Sequence, residues 1–305
     1  MKLATTTGDF GRYLPNHLDR LKAVADAGFK YIDFSFYTEM RWDSVFMKDG
    51  WKDYTEKLKA CADELGLTFV QSHAPGGNPL VKDANYDILL ASTIRSIEVC
   101  GLLGIDNTVV HPGWDGMMSL EEYCERNMEF WRKLYPAAEE NGVYLLVENT
   151  THANMGTIHQ NLFTGKDMMT FVEASGHPLV ACCWDTGHAN CEGRQYKDIL
   201  DMGDKLKAIH FNDNRGERDE HITPFMGTLC VDEVMNALID SGFKGPLTME
   251  CDSTFRPFKY WLGNRHDFSE KKVVTEASLE MKKKAEELLY VTGKYILESY
   301  NLWEE

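Results

Sequence analysis

Four short apolar runs in the second half of the chain end on residues able to hold a metal or move a proton. These are Glu148 in Val-Glu-Asn, Asp185 in Trp-Asp-Thr-Gly-His, His210 in Ile-His-Phe-Asn-Asp and Glu250 in Met-Glu-Cys. Three carboxylates and one imidazole form an oxygen-rich donor set suited to one divalent ion, Mn²⁺ first, with Mg²⁺, Co²⁺ and Zn²⁺ as alternatives. A lone glutamate ending one strand more often bonds to neighbouring backbone amides. Four such groups together are different, because crowded carboxylates repel one another and raise their own pKa values unless a cation neutralises them. An ion bound to the two adjacent oxygens of a hydroxy-carbonyl compound polarises the carbonyl and stabilises the enediolate formed when the neighbouring C–H loses its proton. Glu148 and Glu250 can serve opposite faces of such a substrate, one removing the proton and the other returning it, which is epimerisation. Return to the adjacent carbon is isomerisation, and the two reactions share the intermediate.

Residues so far apart in the chain need a scaffold that gathers them. Seven times a glycine precedes, by five to nine residues, a metal-capable residue at the end of an apolar run: Gly28 and Asp33, Gly66 and His73, Gly104 and His111, Gly142 and Glu148, Gly176 and Asp185, Gly203 and His210, Gly242 and Glu250. Glycine after a helix is the usual left-handed stop, and the apolar run that follows reads as a buried strand. Strands are expected at 3–7, 31–35, 68–72, 107–110, 144–147, 179–184, 206–211 and 246–251. Helical spacing of apolar residues predicts helices at 17–27, 53–65, 85–102, 167–174, 196–202 and 231–241. The capping boxes at Ser119–Glu122 and Asp267–Glu270 open two more, over 119–140 and 268–298. Eight strand–helix units predict a single (β/α)8 TIM barrel domain over 1–305 with a long C-terminal helix, its polar strand ends collected at one mouth. The Thr5-Thr6-Thr7-Gly8-Asp9 turn lacks the glycines of a dinucleotide-binding fold.

The chain has 305 residues and a net charge of -16, from 32 basic and 48 acidic side chains. That balance repels polyanions, and the loops 149–165 and 252–257 are nearly devoid of basic residues, so nucleic acid is not an expected partner. Eight cysteines occur without CxxC spacing, which fits a reducing cytoplasm rather than a disulfide framework or zinc ribbon. Neither an export signal nor a membrane span is suggested. Cys183, two residues before Asp185 on one strand, is expected in a layer inside the barrel. Trp42, Trp114, Trp184 and Trp261 fall near strand ends or upper loops; framework packing is the commoner role of tryptophan, and Trp114 is the one placed among candidate substrate contacts. The run Lys282-Lys283-Lys284 reads as a solvated face. Val273, Ala277, Met281, Ala285, Leu288 and Leu289 form the face of the last helix expected to pack on the barrel.

With His73-Ala-Pro, His111-Pro-Gly, Asp185-Thr-Gly-His188 and Asp219-Glu-His221 added in order, nearly the whole chain resembles the xylose-isomerase-like barrel superfamily. That superfamily comprises sugar and sugar-phosphate isomerases and epimerases, inosose dehydratases and type IV apurinic endonucleases. The resemblance implies that Glu148, Asp185, His210 and Glu250 bind one divalent metal, with the two glutamates as acid and base. It also implies that His188 touches substrate oxygens. His73, His111, Asp219 and His221 are further candidate substrate contacts, and in the endonucleases equivalents of these and of His188 hold additional zinc ions. Where many sugar isomerases have His-Arg followed by Pro-Gly-x-Gly, this chain reads His221-Ile-Thr-Pro-Phe-Met-Gly227, which points to an uncharged or unusual carbohydrate. The reading is therefore a metal-dependent sugar isomerase or epimerase. Its alternatives are a lyase (inosose dehydration or keto-C-glycoside cleavage), a trinuclear zinc phosphoesterase and a noncatalytic sugar-binding barrel. A homo-oligomer is expected from the resemblance alone.

Overall fold

The computed structural model describes residues 1–154, 161–255 and 277–304. Eight parallel strands close into a barrel in sequence order: β1 Leu3–Thr6, β2 Tyr31–Ser35, β3 Thr68–His73, β4 Asn107–Val110, β5 Tyr144–Glu148, β6 Val180–Asp185, β7 Leu206–Phe211 and β8 Leu247–Met249. β8 pairs back onto β1. All seven glycines of the recurring pattern have positive φ, from 51° at Gly203 to 105° at Gly28, so each helix stops where the sequence places its stop.

The helices are α1 His17–Asp26, α2 Trp51–Leu65, α3 Tyr86–Leu103, α4 Leu120–Trp131, α5 Tyr135–Asn141, α6 Gly165–Ser175, α7 Thr186–Glu192, α8 Tyr196–Met202, α9 Val231–Asp240 and α10 Leu279–Ser299. Three differ from expectation. The helix predicted over 119–140 is broken into α4 and α5, because Pro136 cannot continue a hydrogen-bonded helix but is well suited to starting one. α7 is unanticipated: it begins directly at the end of β6, with Asp185 as its N-cap. α10 is capped by Ser278, whose hydroxyl accepts from the Met281 N–H. The capping box at 267–270, the start of the predicted helix, Val273 and Trp261 lie outside the described residues.

The buried face of α10 is also a correction. Ala285 and Leu289 are buried as expected, but Met281 and Leu288 are exposed, and the helix also buries Lys282, Glu286, Gly293, Ile296 and Leu297. Lys282 is thus not part of a solvated run. Its ammonium lies 3.3 Å from Asp9, 3.5 Å from Glu286 and 3.4 Å from the Cys251 carbonyl, while Thr5 donates to Glu286 at 2.7 Å. Burial, opposed by Lys282 and reinforced by Glu286, holds the Asp9 carboxyl well above the usual range. One lysine between two buried acids ties the last helix to the ends of β1 and β8.

Inside the barrel Val109, Leu146, Ala181, Cys183 and Ala208 form a separate apolar cluster, so Cys183 sits where its strand parity puts it. Trp184, one residue on, faces the outer core and donates to Gln195 at 3.0 Å. Trp42 is exposed. Among the described residues no helix is long and apolar enough to cross a membrane.

The loop after β2 is clipped down by Glu39, which is 3% exposed. Ser44 donates to it at 2.5 Å, His17 stands 3.4 Å away and Arg41 3.3 Å away. Burial works against its charge, but the nearby His17, the hydrogen bond from Ser44 and the charge of Arg41 outweigh that and hold its carboxyl at about 2. A depressed carboxyl adds stability that is complete above its unfolded value near 4.5 and is lost as pH falls towards 2. We expect Glu39→Gln to lower unfolding free energy at pH 7 by about 3 kcal/mol in urea titrations, the gap from wild type narrowing below pH about 4.5. A gap that is constant with pH would contradict the ionised clip.

Candidate metal centre and active site

β5 to β8 deliver the four residues singled out in the sequence to one place. Glu148 and Asp185 are the last residues of β5 and β6, His210 is one residue from the end of β7, and Glu250 follows β8 directly. One ligand atom from each lies within 4.8 Å of those of the other three. His210 turns Nδ1 into the cluster, 2.5 Å from Glu148 Oε1 and 3.2 Å from Glu250 Oε2. Three carboxylates and an imidazole nitrogen, converging from separate strands, fit a divalent cation in donor chemistry and spacing.

Two asparagines beside these residues lock the motifs together. Asn149 accepts from the Asp185 N–H at 2.6 Å and donates to the Asp185 carbonyl at 2.9 Å, joining Val-Glu-Asn to Asp-Thr-Gly-His. Asn212 donates to Asp185 Oδ2 at 2.8 Å, while Oδ1 accepts from the His188 N–H at 2.7 Å and caps α7. A Cβ at Gly187 would lie 1.9 Å from Asn212 Oδ1, so only glycine there leaves that side chain in place on Asp185. Both asparagines belong to the motifs quoted from the sequence, Val-Glu-Asn and Ile-His-Phe-Asn-Asp.

The remaining predicted residues form two flanking groups. His73 and His111 face each other through Nε2 atoms 3.0 Å apart, and His111 reaches Glu148 Oε2 at 2.7 Å. On the other side Asp219 Oδ2 lies 3.2 Å from His188 and 3.0 Å from His221, whose φ of 47° is unusual for a residue with a side chain. Asp185, His188 and His221 form a metal-capable trio, as do His73, His111 and Glu148. Trp114 is held by Asn78, which donates to its carbonyl and accepts from its N–H. Tyr37 was missed from sequence: its ring stands edge-on to His73 and His111, half exposed at the mouth.

The charges divide unevenly. Burial opposes ionisation of Glu148, but His210 and His111 outweigh it and hold that carboxyl well below the usual range. Burial wins at Glu250, which rises to about 7 despite His210 and His221. Burial likewise takes His73 down to about 3, with His111 adding to it. At His188 burial is overcome by Asp185 and Asp219, lifting it to about 10. Against burial, His210 is raised by Cys183, Glu250 and Glu148, and His221 by Asp219 and Glu250. Burial pushes the Cys183 thiol up to about 12, so it lines the centre as a neutral group. One glutamate is thus ionised and the other proton-bearing near neutrality, the separation that acid–base pairs use.

A family model described as xylose isomerase-like TIM barrel matches residues 21–272. An uncharacterised protein of Methanocaldococcus jannaschii is 26% identical over 189 residues, 58% of this chain and 62% of that protein, so the match spans less than two thirds of that relative. A probable endonuclease 4 of Citrifermentans bemidjiense is 31% identical over 220 residues, 63% of this chain and 71% of the relative. Among solved structures, D-psicose 3-epimerase with D-tagatose from Clostridium cellulolyticum superposes with a TM-score of 0.72 at 20% identity, covering 97% of this chain and 99% of that one.

The close approach at Gly187 supplies a test of the asparagine brace. Gly187→Ala displaces Asn212 from Asp185, and we expect divalent-ion affinity measured by calorimetry to fall about tenfold, with far-UV circular dichroism unchanged. Asn212→Ala should behave alike. Wild-type affinity in both variants would show that the brace does not orient Asp185.

Proposed function

The chain belongs to the xylose isomerase-like TIM barrel family, and from that premise we propose that it is a divalent-metal-dependent isomerase or epimerase of a small carbohydrate. The observation that carries this reading is the convergence of Glu148, Asp185, His210 and Glu250 within 4.8 Å. These four would hold one ion, Mn²⁺ first and otherwise Mg²⁺, Co²⁺ or Zn²⁺. When bound, such an ion polarises a substrate carbonyl and makes the neighbouring C–H more acidic.

The chain's own groups supply the proton transfers. Glu148, ionised beside His210 and His111, is fitted to accept a proton. Glu250, raised to about 7 where no cation offsets its burial, is the carboxylate that would return the proton from the other side. The raised His188 and His221 have their ring nitrogens engaged by Asp219 and by the Asn149 and Glu250 carbonyls, so a sugar oxygen would have to share or displace those contacts, while the lowered His73 stays neutral beside His111. Asp219 orients His188 and His221. Tyr37 contributes aromatic surface near the mouth. A lyase would begin with the same proton abstraction and differ in the group then expelled.

A trinuclear phosphoesterase is the second reading. It is favoured by the two flanking trios and by the endonuclease 4 relative. Its difficulty is charge, since a net -16 opposes binding to a polyanion. Elemental analysis separates the two: about one ion per chain supports the isomerase reading, and about three zinc ions support the phosphoesterase.

Incubation with ketoses, keto-glycosides and inososes in deuterated water should label one substrate C–H position. We expect Glu250→Gln and Glu148→Gln each to reduce labelling at least a hundredfold while leaving the barrel folded. Undiminished labelling in both variants would remove the proton-transfer roles.

A further inference from the structure

The last helix, α10, leaves an apolar seam in solvent. Met281, Leu288 and Tyr295 recur every seven residues and Val291 stands between two of them, so the four share one face of the helix. All four are exposed, Val291 and Tyr295 to 60% and 61%. Beside Tyr295 lies the exposed ring of Phe225, the two centroids 6.3 Å apart. Phe225 has a φ of 74°, a left-handed conformation that glycine adopts freely and a residue with a Cβ does not. Met226, next to it, is exposed as well. The opposite face of α10 already supplies the packing that holds the helix on the barrel, so the seam adds nothing to the folded monomer.

Charge indicates what can cover it. The chain carries a net -16, which sets two copies against each other wherever their acidic surfaces meet. Over 279–299, however, Lys282, Lys283, Lys284 and Lys294 balance Glu280, Glu286, Glu287 and Glu298, so this helix is locally neutral. The order of the outer charges matters more. Lys284 and Glu287 precede Val291, and Lys294 and Glu298 follow it; each keeps a large part of its side chain in solvent. Turned end for end about Val291, the pattern matches itself: Lys284 comes beside Glu298 of the partner subunit, and Glu287 beside Lys294 of the partner subunit. A parallel pair would instead set each charge beside its own kind.

We propose that α10 is the contact surface of a two-fold homodimer, in which the seam of Met281, Leu288, Val291 and Tyr295 packs antiparallel on the same seam of a second copy, with the axis near Val291. An isologous contact requires a surface that complements itself under that rotation, and both the apolar spacing and the charge order do so. Leu288 then meets the partner's Tyr295. Phe225 and Met226 widen the apolar area at the end of the seam, which gives the strained turn a use. Because Lys282 clasps α10 to Asp9 beneath it, the helix presents this face already ordered, and little further entropy is lost on association. None of these residues belongs to the metal centre, so the proposal stands apart from the reading of the mouth.

The test is the mass of the full chain by sedimentation equilibrium, from about 1 to 100 µM, where a dimer is expected. Val291→Glu changes an exposed position and sets two carboxylates against each other at the axis; it should weaken association at least about 100-fold, with far-UV circular dichroism unchanged. Glu287→Lys and Lys294→Glu should each weaken it about tenfold, and the double exchange should restore it, because the two positions face each other across the antiparallel contact. A wild-type chain that stays monomeric overturns the proposal, whether another protein or nothing then covers the seam. A dimer that persists in Val291→Glu uses a different face and overturns it too. Single exchanges that weaken the dimer without recovery in the double exchange would overturn the antiparallel arrangement.

Discussion

Electrostatic repulsion among acids brought to one mouth is the constraint on which the site depends. Glu148, Asp185 and Glu250 crowd a single imidazole, the first two buried by the walls of the barrel and Glu250 partly so. Their mutual cost is met partly by His210, His111 and His221, each of which stands close to a carboxylate. The compensation is uneven, and that inequality leaves one glutamate ionised and the other able to bear a proton.

The barrel meets this cost with rigid local bracing. Asp185 is held at its backbone by Asn149, at its carboxylate by Asn212 and by the first turn of α7, so it has little freedom to swing away from its neighbours. Pre-organisation of this kind transfers the entropy loss from ligand binding to folding, where a large apolar core can offset it. The interior is divided accordingly: Val109, Leu146, Ala181, Cys183 and Ala208 fill one part with close packing, while hydrogen-bonded side chains occupy the part beneath His210.

The fold and the four central residues are legible in the sequence because both rest on local rules. A glycine in the left-handed region ends a helix, an apolar run follows as a strand, and strand ends fall on one rim by topology. What escapes that reading depends on contacts between distant segments. The burial of Lys282 cannot be inferred from a lysine run, since it requires Asp9 and Glu286 to be waiting beneath it. α7 is hidden because its cap, Asp185, already reads as a strand end with chemistry of its own. Tyr37 reaches the mouth only through the course of the loop that Glu39 clips, and the pairing of Asp33 with Gln71 follows from a bulge that periodicity does not reveal.

The seam between β1 and β8 is reinforced from outside by α10, where Thr5 and Asp9 meet Glu286 and Lys282. These contacts join opposite ends of the polypeptide, so neither the seam nor its ionic clasp can reward a partly folded chain until nearly every other stave is in place. Formation of the cylinder is therefore expected to be slow and strongly cooperative at its final step, and an open, unclasped sheet would expose two unpaired edges to neighbouring molecules. The lysine hidden under the last helix thus bears on the kinetics of assembly and on the avoidance of aggregation during synthesis, as well as on the finished structure.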